Sequence, residues 1–190
     1  MKRRVILLHG APACGKLTTA RALAEVHPTV ILHNHLTFNL AAELFEIGDR
    51  RLLDLHRELR LVMLRHALAE TPPGTVPVPD ITLTLVYSEP ESVDSLTEIL
   101  ALIEKAGADP KPFYLQCNEA NLLSRVVSDE RESEGKLHSA ERLSDLLRTH
   151  DYPPLPHPNT RIINNDDRSA ESVALEIARS LSVDGDGFRR

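Results

Sequence analysis

The sequence predicts an α/β domain built around a parallel sheet. Apolar runs of strand length alternate along the chain with apolar positions at helical spacing, the pattern left by strand–helix crossover units. Most of the strand-like runs are continuously apolar rather than alternating, as strands buried on both faces require. The first of them leads directly into a glycine-rich turn and then an amphipathic helix.

Five strands are expected, at residues 4–9, 29–33, 81–87, 111–116 and 160–163. After the first strand, Leu17, Ala20, Leu23 and Ala24 fall on one face of a helix. The stretch 36–70 is too long for a single crossover helix. It is expected to break near Gly48-Asp49 into two helices projecting from the sheet edge, and the proline-rich segment 71–79 ends it. Ser88-Glu89-Pro90-Glu91 reads as a capping box that opens a helix with Val93, Leu96, Leu100 and Ile103 inside and closes it at Gly107. Asn118 is placed to cap a helix carrying Leu122, Leu123, Val126 and Val127. Four prolines within residues 153–158 form a stiff connector to the last strand. Ser169 then caps a final helix with Ala170, Val173, Ala174, Ile177, Ala178 and Leu181 on its buried face, and residues 182–190 are expected to fray as a flexible tail. No repeat or low-complexity linker divides the chain, so residues 1–190 are read as one domain.

Composition narrows the function classes. With 42% hydrophobic and 26% charged residues, the 190-residue chain is neither disordered nor collagenous, and two cysteines do not make a disulfide scaffold. No apolar run approaches the ~18 to 20 residues that cross a bilayer. Met1-Lys2-Arg3-Arg4 is followed by only Val5 to Leu8 before His9-Gly10, short of the ~7 to 15 apolar residues of a secretory signal, so a cytoplasmic location with no membrane partner is expected. Cys14 and Cys117 make no metal-binding spacing with any histidine. The net charge of −6 argues against a broad nucleic-acid surface, which calls for clustered lysine and arginine. Composition leaves the oligomeric state open.

The chemistry centres on Gly10-Ala11-Pro12-Ala13-Cys14-Gly15-Lys16-Leu17-Thr18-Thr19. A Gly-x4-Gly-Lys turn between a strand and a helix is a phosphate-binding loop. The glycines let the backbone wrap a triphosphate, the loop amides and the helix N-terminus supply partial positive charge, and Lys16 reaches the β and γ phosphates. ATP or ADP is the expected ligand. The hydroxyl residue that normally follows the lysine and binds magnesium is replaced by Leu17. Thr18 is turned about 100° around the helix and suits the α phosphate. Magnesium is expected with the nucleotide, but its protein anchor is unknown. Asp80 lies at the far end of the third strand, and Glu89 follows that strand at the nucleotide end. Cys14, among the loop amides, reads either as a reactive thiol or as a small side chain filling the loop.

From Val5 to Leu181 the chain resembles the small P-loop kinases of the adenylate, shikimate and gluconate kinase type. It resembles in particular P-loop ATPases or kinases in which Gly-Lys is followed by a hydrophobic residue and threonine and the second strand ends in His-Asn-His, here Gly15-Lys16-Leu17-Thr18 and His33-Asn34-His35. The resemblance implies a three-layer fold, a five-stranded parallel sheet in the order 2-3-1-4-5, a lid at residues 128–138, and phosphoryl transfer from ATP to a small-molecule or nucleotide acceptor. It also implies roles. His35 would take the acceptor's proton and His33 would position the acceptor, as imidazole chemistry near its usual pKa of ~6.5 permits. Arg125 would stack on adenine, while Arg131, with Lys136, would close over the transferring phosphate. Arg60, from the helices of residues 36–70, would hold the acceptor, although Glu58 and Glu70 suit it and Arg57 equally to surface ion pairs. Asn165 and Asp166, after the last strand, would meet the adenine edge. Two further readings stay open from the residues alone. One is an ATP-binding switch or weak ATPase without a small acceptor. The other is a polynucleotide end kinase, which the acidic charge disfavours.

Overall fold

The computed structural model describes residues 2–128 and 137–186. β1 (Arg4–His9) is the middle strand of a five-stranded parallel sheet in the order β2-β3-β1-β4-β5, with β2 at Thr29–Leu32, β3 at Asp80–Leu85, β4 at Asp109–Gln116 and β5 at Arg161–Asn164. The apolar run of β1 is continuous because both of its faces are covered. Ile6 and Leu8 point to one layer of helices, and Val5 and Leu7 to the other. The first layer draws on α1 (Lys16–Val26), α5 (Glu119–Val126), α6 (Ala140–Thr149) and α7 (Ala170–Asp186). The second draws on α3 (Arg50–Leu68) and α4 (Val93–Lys105). α2 (Asn34–Ala42) and α3 are the two helices expected from residues 36–70, separated around Gly48, with Asp49 capping α3 through the Arg51 amide.

Several boundaries differ from expectation for identifiable reasons. β2 ends at Leu32 because His33 is already the N-cap of α2, so His33-Asn34-His35 straddles the strand-to-helix junction. β4 starts at Asp109 despite Pro110 and Pro112. β5 pairs with it only from Phe113 onward, so these prolines face an open edge where a missing N–H is tolerated. The capping box at Ser88 does not form. The Ser88 amide donates to Ser92 Oγ at 3.2 Å, and α4 begins after Ser92 with Leu96, Ile99 and Ile103 inside and Val93 partly exposed. Its closure at Gly107, in the left-handed region at φ 65°, is as expected. Of the tail expected to fray, residues 182–186 are helical, with Ser182 Oγ donating to the Ala178 carbonyl, and residues 187–190 lie outside the described residues.

At the end of the sheet away from the glycine-rich loop, Asp80 is tied into structure. Its carboxylate accepts from the Arg4 amide and Nε, at 2.9 and 2.7 Å, and meets His27 Nε2 at 2.9 Å. No described helix is long and apolar enough to cross a membrane.

Candidate functional site

The loop between β1 and α1 adopts its shape through three left-handed residues, Gly10 at φ 143°, Ala13 at φ 66° and Gly15 at φ 92°. At Gly10 the reason is steric as well, since a Cβ there would sit 2.7 Å from the Leu115 carbonyl oxygen. Gly15 is the N-cap of α1, with no side chain capping it and no acidic residue in the first turn. The helix therefore presents its first amides and the positive end of its dipole to whatever lies before it. Lys16 Nζ arches back over the loop, 2.8 Å from the Gly10 carbonyl and 2.7 Å from that of Ala11, with Cys14 Sγ at 3.6 Å. Cys14 itself is fully buried, so its side chain fills the loop. Cys117, near the loop at the end of β4, has its thiol pushed up to about 11 by burial.

This loop opens into a cleft of about 1060 Å³. Its wall takes Pro12, Ala13, Gly15, Lys16, Leu17 and Thr18 from the loop, His33, Asn34 and His35 from the β2–α2 junction, and Thr84 and Val86 from the end of β3. Arg125 from α5 and Arg142 and Asp145 from α6 close the opposite side. Parallel strands all deliver their C-terminal ends to one edge, which is why loop, junction and β3 converge there. Leu17, named with the phosphate-binding loop and also placed on the apolar face of its helix, faces the cleft, while Ala20 and Leu23 carry α1 into the core.

Arg125 is fixed by its surroundings. Nη2 donates to the Asn165 carbonyl at 2.9 Å and Nη1 lies 3.6 Å from Cys117 Sγ. Asn165 does not line the cleft. Buried, it donates Nδ2 to the Cys14 carbonyl at 2.5 Å and so buttresses the loop from behind. Asp166 accepts from Asn121 Nδ2 and from the Asn118 amide, at 3.0 and 2.8 Å, and these bonds lower the pKa of its carboxyl. Arg131 and Lys136 lie outside the described residues.

On the opposite wall a polar network extends behind the junction. The Asn34 amide donates to Thr84 Oγ1 at 3.0 Å, which joins α2 to the end of β3. Arg60 Nη2, on α3, donates to both Asn34 Oδ1 and His56 Nε2. Because His56 Nε2 accepts, its proton sits on Nδ1 and is donated to Thr37 Oγ1 at 2.8 Å. Burial, with the Arg60 charge second, pushes the His56 pKa down to about 3, so the ring is neutral. Burial likewise pushes the Arg60 guanidinium down to about 10. Its described partners are two neutral groups and no carboxylate, whereas Arg57 on the same helix is paired with Glu98. His35, on the cleft wall, sets its ring edge-on to Phe38 with centroids 6.0 Å apart, and Phe38 in turn meets His56.

The structure thus brings Lys16, Leu17, Thr18, His33, His35 and Arg125 onto one cleft, with Arg60 directly behind Asn34. Thr84 and Arg142 on the cleft, and Thr37 and His56 in the network behind it, are residues that sequence reasoning missed. Arg142 had a local signal, three residues beyond the Ser139 cap. The His56–Arg60 pair, four residues apart on α3, was another.

No family model matches the chain, and no curated protein sequence matches it. Solved structures share its fold. The tunicamycin resistance protein of Deinococcus radiodurans superposes with a TM-score of 0.61 at 16% identity, over 95% of this chain and 96% of that one. A gluconokinase from Sinorhizobium meliloti gives 0.56 at 17% identity, over 95% of this chain and 96% of that one. Shikimate kinase from Acinetobacter baumannii gives 0.55 at 14% identity, over 96% of this chain and 94% of that one. With its sheet order and its helices on both faces, the chain has the fold of the small P-loop kinases.

Proposed function

We propose that the protein is an ATP-dependent kinase that phosphorylates the hydroxyl of a small anionic acceptor. The observation that carries this reading is the single cleft running from the Lys16 loop to the His33-Asn34-His35 wall, backed by a guanidinium with no carboxylate among its described partners. The loop amides, the start of α1 and Lys16 take the β and γ phosphates, and Thr18 takes the α phosphate. Arg125 lies beside Gly15 against the nucleotide, and Arg131 completes the charge compensation from the segment that follows α5. The acceptor lies between the loop and the junction. Its hydroxyl oxygen attacks the γ phosphorus in line, the bond to the ADP oxygen breaks, and His35 receives the hydroxyl proton while His33 orients the acceptor. Arg60, acting through the junction that it braces, gives this wall a positive potential suited to a carboxylate or phosphate on the acceptor.

The competing reading, an ATP-binding switch or weak ATPase, draws on Leu17 and on the absence of a carboxylate at the β2–α2 junction. The two separate when γ-labelled ATP is offered with sugar acids, hydroxy acids, nucleosides and nucleotides. The kinase reading expects label on one acceptor class and acceptor-stimulated ADP formation, with a lower kcat in His35→Ala. ATP binding without label transfer to any class would favour the switch.

A further inference from the structure

The P-loop fold implies magnesium, held by a hydroxyl directly after the loop lysine and by a carboxylate at the end of β3. Among the described residues, the side chains at these positions do not fit it. Leu17 follows the lysine and turns a hydrocarbon side chain to the cleft. Of the two threonines after it, Thr18 is a further 100° or so around the helix, and the Thr19 hydroxyl is fully buried beneath it. At the end of β3 the cleft meets Thr84 and Val86. The Thr84 hydroxyl is engaged by the Asn34 amide at 3.0 Å. Glu89, the first carboxylate after the strand, is off the cleft and accepts from the Tyr87 hydroxyl at 2.6 Å. At the β2–α2 junction the only side-chain oxygen is Asn34 Oδ1, taken by Arg60. Asp145 reaches the cleft, but its carboxylate accepts from Arg148 at 2.8 Å. Among the described residues, no three histidine, cysteine, aspartate or glutamate side chains come together in a way that could hold a metal ion.

The cations do converge. Lys16, Arg125 and Arg142 all line the same cleft as the uncapped start of α1. Three cations, opposed among the described lining residues by the single carboxylate of Asp145, and a helix dipole worth about half a charge match a nucleoside triphosphate carrying its whole negative charge better than one already half-neutralised by a divalent ion.

We propose that this cleft binds ATP as the metal-free polyanion, its phosphates neutralised by Lys16, Arg125 and Arg142, with nucleotide affinity uncoupled from magnesium. The proposal rests on the ATP reading above and concerns binding, so its readout is independent of turnover. In a protein whose own side chains ligate the metal, magnesium tightens nucleotide binding, because the ion bridges the two. Here the ion contributes no such bridge, and its chelation by ATP removes charge that the three cations use.

Calorimetric titration of ATP into the wild-type chain, in EDTA and in excess magnesium, tests this directly. The expected result is an affinity in EDTA that equals or exceeds the affinity in magnesium, to within about threefold for equality. Leu17→Thr, which restores the hydroxyl, is expected to make magnesium strengthen binding. A wild-type affinity about tenfold or more tighter in magnesium would overturn the proposal and leave the ATP reading intact. No ATP binding in either condition would overturn both. If Leu17→Thr does not fold, the wild-type pair of titrations still decides.

Discussion

Replacing His9 with leucine is expected to stabilise the protein and to reduce its sensitivity to acid. His9 closes β1 immediately before the phosphate-binding loop, is fully buried, and has no hydrogen-bond partner at either ring nitrogen among the described residues. Its ring lies against Tyr114 with centroids 5.2 Å apart. An unsatisfied buried polar group costs about 1–3 kcal/mol, and leucine fills a similar volume with none. The substitution should therefore add roughly that amount at neutral pH, or about 2–4 °C in Tm per kcal/mol for a chain of this size. The acid limb follows from linkage. Burial, with the Lys16 charge second, pushes the His9 pKa from 6.5 down to about 3, so between these values the unfolded chain binds the extra proton. Stability is then full above the unfolded pKa and falls with decreasing pH by about 1.4 kcal/mol per pH unit, until the folded pKa is reached. His56, shifted to the same value, adds an equal slope. Urea denaturation of wild type and His9→Leu near pH 7.5 and near pH 5 would show both effects, with the variant losing about half of the histidine-dependent slope. Destabilisation at neutral pH, or an acid slope identical to that of wild type, would refute the reasoning.

Two other substitutions separate site from scaffold. Arg60→Met removes a desolvation penalty of about 3 kcal/mol, judged from the shift to about 10, and loses two hydrogen bonds of about 1.5–3 kcal/mol each. The net is a loss of stability of up to about 3 kcal/mol, while the KM for the acceptor rises at least about tenfold and that for ATP holds. A large loss of stability with unchanged acceptor kinetics would make Arg60 structural. Asn165→Ala leaves the Cys14 carbonyl without its buried donor and should lower stability by about 1–3 kcal/mol. It should also weaken ATP binding, although the residue lies off the cleft, because the loop loses its buttress. Thermal melts and ATP titration measure the two effects together.

Much of the fold was legible because local and global signals agree. The continuous run Val5 to Leu8 needs helices on both faces, and they are there. Gly10 and Gly15 occupy backbone conformations that suit glycine, which is why the loop could be read from residue types alone. The strand order came from a family resemblance, since periodicity identifies strands without their neighbours. The start of α4 was misread because Ser88 and Ser92 pair with each other rather than with a capped helix. The acceptor wall was only partly legible. Asn34 meets Arg60 across 26 residues of sequence and Thr84 across 50, and no pattern along the chain marks such pairings. Leu17 carried two signals, the apolar face of α1 and membership of the loop motif, and it is the loop that decides, since this first turn faces the cleft.

The most direct test of the central claim is calorimetric binding of ATP to the wild-type chain and to Lys16→Ala, with thermal melts of both. A cleft built around the Lys16 loop predicts saturable one-site binding by the wild type, a loss of about tenfold or more in the variant, and similar melting temperatures. A folded Lys16→Ala protein that binds ATP as tightly as wild type would contradict the account.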